Sequence, residues 1–97
     1  MAWCYLIHFD SPVNKRFRHY LGFTKNLAQR WGDHQAGHGS DLTKAAFRQG
    51  VRMMLSRVWL NGSQRLEDDL KRGNHFDQLC SVCIADAVGK AFVGAEK

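Results

Sequence analysis

The run Phe17-Arg18-His19-Tyr20-Leu21-Gly22-Phe23-Thr24-Lys25-Asn26-Leu27-Ala28-Gln29-Arg30 joins two local patterns with no break between them. Phe17 to Phe23 is rich in aromatic and apolar residues and reads as an extended strand. From Thr24 or Asn26, either of which can cap a helix, the pattern continues through Leu27, Ala28 and Trp31 towards Gln35, and glycines at 37 and 39 end it. Upstream, Ala2 to Phe9 sets Trp3, Tyr5, Ile7 and Phe9 on one parity and Cys4, Leu6 and His8 on the other. Both faces suit burial, which is the signature of an inner strand. Asp10, Ser11, Pro12, Val13 and Asn14 carry turn chemistry between the two runs, so an antiparallel hairpin feeding a helix is expected.

Downstream, Leu42 to Gln49 reads as a short helix with Leu42, Ala45, Ala46 and Phe47 at helical spacing, stopped by Gly50. Met53 to Leu60 is a third strand, ended by the turn pair Asn61-Gly62, and Ser63 to Lys71 is a helix with Leu66 and Leu70 four apart. A further short helix is expected over Ile84 to Val93. The order β-β-α-α-β-α predicts an α+β fold, a three-stranded antiparallel sheet flanked by helices. At 97 residues and 44% hydrophobic, residues 1–97 are expected to form one domain, with 75–97 a tail or short helix that carries Cys80-Ser81-Val82-Cys83.

No apolar run reaches the roughly 20 residues of a membrane span, and the N-terminus has no signal-peptide pattern. Three cysteines, two of them close together, suit a reducing compartment. The expectation is an intracellular protein with no membrane contact. The net charge of +5 is unevenly spread. From Ser11 to Arg57 there are nine basic residues, Arg18, Lys25 and Arg30 among them, and two acidic ones, whereas six acids fall between 58 and 97. Any one of these cations reads as a solvated charge, but the segment as a whole points to a phosphate-bearing partner.

Trp3-Cys4-Tyr5-Leu6-Ile7, followed by Tyr20-Leu21-Gly22-Phe23-Thr24-Lys25-Asn26-Leu27 and then Arg30, resembles the GIY-YIG nuclease motif. Glu67 and Lys71 stand where that family has its acidic helix, and the resemblance spans roughly residues 3 to 74. In its first half only the tyrosine of Gly-Ile-Tyr is kept. The resemblance implies a metal-dependent endonuclease that hydrolyses DNA phosphodiesters. The alternative is a nucleic-acid-binding module of the same fold without turnover.

The site residues follow from the resemblance and from side-chain chemistry. Glu67 is the expected ligand for Mg²⁺ or Mn²⁺, since such hard cations take one or two protein carboxylates; on spacing alone it reads as an i, i+4 partner of Lys71. Arg30 and His34, also four apart, share a helix face; the guanidinium suits a scissile phosphate and the imidazole a proton relay. Tyr5 and Tyr20, on neighbouring strands, are expected to orient a water or take its proton, although strand tyrosines also serve as packing partners. Catalysis is thus assigned to Tyr5, Tyr20, Arg30, His34 and Glu67. Gly22, Lys25, Arg18 and Asn74 join Arg30 as substrate-binding candidates, Gly22 because backbone can approach a ligand closely there.

Cys80 and Cys83 form half of a zinc site, for which Cys4 and His75 are the convenient completing ligands; two half-buried thiols are the plain reading. His8 reads as a core side chain, and His19, His38 and His75 receive no role. With no room for a separate DNA-reading domain in 97 residues, sequence specificity is expected to be weak or to come from a homodimer partner or a separate subunit.

Overall fold

The computed structural model describes residues 2–73 and 75–87. Its elements are β1 (Trp3–Val13), β2 (Phe17–Thr24), α1 (Leu27–Gln35), α2 (Asp41–Arg48), β3 (Met53–Leu60), α3 (Gln64–Gly73) and α4 (Phe76–Leu79). Residues 81–87 are also helical, and the remainder of the expected Ile84 to Val93 helix lies outside the described residues. The strands form one sheet in the order β2-β1-β3, both neighbours running antiparallel to β1. The α+β architecture read from the sequence is the one observed, with β1 at the centre.

The alternation along β1 divides the molecule into two layers. Tyr5, Ile7, Phe9 and Val13 face a core that Ala45 and Ala46 of α2 complete, with Leu27 and Trp31 of α1 packed against it. Leu6 faces the opposite way, with Leu21 and Cys80, against Leu70 of α3, Phe76 and Leu79 of α4, and Val82. Burying β1 on both sides explains why its side chains from Cys4 to Phe9 lack the polar alternation of a surface strand.

Two expectations are corrected. The hairpin turn lies further along: β1 continues through Asp10 to a buried Val13, and the chain reverses at Asn14 and Lys15, with φ of 53° and 61°. Positive φ at both central residues, with Arg16 N–H donating to the Val13 carbonyl at 3.1 Å, gives the primed turn whose twist suits a hairpin. Pro12 falls within the irregular stretch between His8 and Val13, where its missing N–H removes no regular ladder bond. Phe47 is 53% exposed rather than part of the core; its ring lies against Gly37, which ends α1 at φ 82°.

Candidate active site

The Asn26 side chain accepts from Gln29 N–H at 3.2 Å, and Thr24 Oγ1 accepts from Asn26 N–H at 3.1 Å. These two bonds start α1 directly at the end of β2 and set its first turn beside the strand. Capping of this kind is worth about 1 kcal/mol. With Leu27 and Trp31 against the core, the helix turns Arg30 and His34 towards the sheet. His34 is fully buried.

The four residues Tyr5, Tyr20, Arg30 and His34 come together. Tyr5 Oη lies 2.7 Å from His34 Nε2 and accepts from Arg30 Nε at 3.4 Å. The Tyr20 ring stands 6.2 Å from that of Tyr5 and 5.3 Å, edge-on, from that of His34. On the far side, His34 Nδ1 is 2.7 Å from Thr43 Oγ1, which itself donates to the Ser40 carbonyl at 3.2 Å. The tautomer that goes with Thr43 donating to the Ser40 carbonyl carries the His34 proton on Nδ1 and leaves Nε2 to accept from Tyr5.

Two glycines make this arrangement fit. A Cβ on Gly22 would overlap the Tyr5 ring, and one on Gly39 would overlap His34 Nδ1 and Thr43 Oγ1. Gly22 therefore serves the site by making room for Tyr5. Burial pushes the Tyr5 phenol up to about 12 against the opposing effect of the Arg30 hydrogen bond, and the nearby Tyr20 adds to the rise. His34 is driven down to about 4, first by burial and then by the Arg30 charge, so its imidazole is neutral near pH 7. Its place is behind Tyr5 as an acceptor. The guanidinium of Arg30 is held charged more firmly than usual, chiefly by its bond to Tyr5.

Glu67 sits on α3 and is 8% exposed. Its Oε1 accepts from Lys71 Nζ at 3.0 Å and from Gln64 Nε2 at 3.1 Å. Both donors take Oε1, and neither takes Oε2, which is the ligand chemistry a hard divalent cation requires. Among the described residues no hydrogen bond joins Glu67 to the tyrosine cluster. A groove of about 520 Å³ along β2 is lined by Tyr20, by Lys71, the ion-pair partner of Glu67, and by the Ser40-Asp41-Leu42 start of α2.

The remaining candidates fall elsewhere. Arg18 borders a second groove with His19, Phe76 and Asp77, away from the tyrosine pair. Lys25 is exposed between β2 and α1, and Asn74 lies outside the described residues. Thr43 was not anticipated, although Ser40 three residues before it is a helix-cap spacing that hints at paired hydroxyls. Cys4 does not complete a zinc site with Cys80 and Cys83; its thiol donates to the Ser63 carbonyl at 3.5 Å. The side chains gathered with Cys80 and Cys83 are those of His8 and His19, and the group does not include His75.

Residues 1–72 match the family model described as the GIY-YIG catalytic domain, and the chain belongs to that family of nucleases. No curated protein and no solved structure gives a significant match. No helix among the described residues is long and apolar enough to cross a membrane.

Proposed function

We propose that this chain is a divalent-metal-dependent DNA endonuclease of low intrinsic sequence specificity. The observation that carries the reading is the hydrogen-bonded chain from Arg30 through Tyr5 and His34 to Thr43 and the Ser40 carbonyl. Arg30 binds a non-bridging oxygen of the scissile phosphate and offsets the charge that grows there. The Tyr5 oxygen takes a proton from the attacking water as its own proton passes to His34 Nε2. The water oxygen bonds to phosphorus, and the sugar oxygen leaves with the electron pair of the broken bond and is protonated by solvent. Tyr20 orients the water from the groove side. Glu67 would hold Mg²⁺ or Mn²⁺, which supplies Lewis-acid charge at the phosphate. His34 acts through Tyr5 and is a positioning residue. The candidate cations are assigned to phosphate oxygens, and such contacts position a duplex without carrying sequence information, which is the basis for weak sequence preference.

The test is nicking of supercoiled plasmid with and without Mg²⁺ or Mn²⁺. Cutting is expected only with the metal, and Glu67→Ala is expected to abolish it while DNA binding persists. Undiminished cutting by Glu67→Ala would remove the glutamate from the proposal. The 1% exposure of Tyr5 favours a second reading, a DNA-binding module without turnover, for which no duplex, branched or flapped DNA would be cut.

A further inference from the structure

We propose that His8, His19, Cys80 and Cys83 hold a structural Zn²⁺ ion on the face of the sheet opposite the tyrosines. Their ligand atoms all lie within 4.8 Å of one another. His8 Nδ1 is 3.4 Å from His19 Nε2, 3.4 Å from Cys80 Sγ and 3.6 Å from Cys83 Sγ, and Cys83 Sγ is 3.4 Å from His19 Nε2. Zinc bonds of about 2.0–2.1 Å to nitrogen and about 2.3 Å to sulfur, arranged tetrahedrally, give ligand-to-ligand edges of roughly 3.3–3.8 Å. Four of the six edges fall inside that range.

Hydrogen bonding does not account for the cluster. His8 Nδ1 offers one proton or one lone pair, yet three donor atoms crowd it at 3.4–3.6 Å. A cation at the centre satisfies all four groups at once. The outer side of His8 agrees, since its Nε2 faces Asp10 Oδ1 at 3.8 Å, and a carboxylate there favours the tautomer whose Nδ1 lone pair is free for a metal.

The chain presents the ligands as two prepared pairs. His8 and His19 are direct cross-strand partners in the β1–β2 ladder. Cys80 closes α4, and Cys83 follows one turn on, where Ile84 N–H donates to the Cys80 carbonyl at 3.0 Å. Around them lie Leu6, Leu21, Phe76, Leu79 and Val82. Two thiolates and two imidazoles in an apolar setting, with four protein ligands, describe a closed structural centre that selects zinc. Such an ion would tie residues 75–87 to the sheet.

The test is the metal content of the full chain, purified in zinc-supplemented medium under reducing conditions. One zinc per chain is expected, displaceable by Co²⁺ with the visible bands of tetrahedral cobalt and the charge-transfer absorption of cobalt–thiolate bonds. A zinc chelator is expected to lower Tm, and added Zn²⁺ to restore it. Cys83→Ser and His19→Ala should lose the metal, Cys83→His should keep it, and Cys4→Ser should retain it in full. Should the variants be insoluble, the wild-type stoichiometry and cobalt spectrum decide alone. A metal-free wild-type chain that takes up neither Zn²⁺ nor Co²⁺, a Cys80–Cys83 disulfide in its place, or full zinc retention in a soluble Cys80→Ser/Cys83→Ser variant would overturn the proposal.

Discussion

Tyr5 is held by a donor on one side and an acceptor on the other, and both constraints act on the same oxygen. Arg30 donates to it and His34 accepts from it, so the phenol cannot turn without breaking one bond. His34 has the larger consequence for stability. Its pKa is about 4 in the folded protein against 6.5 for an ordinary histidine. The unfolded chain therefore binds more protons between those values, and stability rises with pH across the window. The contribution is complete above about pH 6.5 and is lost as pH falls through about 4, with an upper limit on the order of 3 kcal/mol. His34→Gln, which lacks a titrating ring, is expected to flatten the pH dependence of Tm between pH 4 and 6.5 relative to wild type. His8 and His19 are the same in both chains, so the comparison isolates His34. An unchanged slope in His34→Gln would place the titration elsewhere.

At the level of elements, the strand-to-helix passage from β2 into α1 was legible because its signals are local: an apolar run, then Asn26 and Thr24 as cap, then Leu27 and Trp31. The third strand and the acidic helix were legible for the same reason. The hairpin turn was misplaced because Asp10, Ser11 and Pro12 carry turn chemistry, whereas the reversal depends on the positive φ of Asn14 and Lys15. His8 and His19 were passed over because eleven positions separate them in the chain, and only the ladder register makes them neighbours. Thr43 escaped for a similar reason, since its partner His34 belongs to another helix. The contact between β2 and β1 at Gly22 yields a prediction. Gly22→Ala places a methyl group against a buried ring held by two hydrogen bonds, so Tyr5 must move. A stability loss of about 1–3 kcal/mol is expected, with a larger fractional loss of nicking than of DNA binding. Denaturant titration alongside a cleavage assay checks both.

Across the whole molecule, the basic segment and the groove along β2 govern association. With Lys25, Arg30 and neighbouring cations meeting about four phosphates, log Kd should vary with log salt at a slope of magnitude about 3 to 4. Lys25→Ala should reduce that slope by about 1 if the lysine meets a phosphate, and fluorescence anisotropy across a salt series measures it. Arg18, beside the histidine–cysteine group, should change the slope less. Strand β1 carries unlike equipment on its two sides, Tyr5 upward and His8 downward, with only Leu6 and Ile7 between them. A strand that slides by a single residue past its neighbour exchanges every inward side chain for an outward one. Such a slip of β2 would turn Tyr20 away from His34 and put a leucine or a histidine in its place. Because His8 meets His19 in the same alignment that lays Tyr5 over Gly22, whatever fastens the imidazole pair also acts as an index mark for the tyrosines.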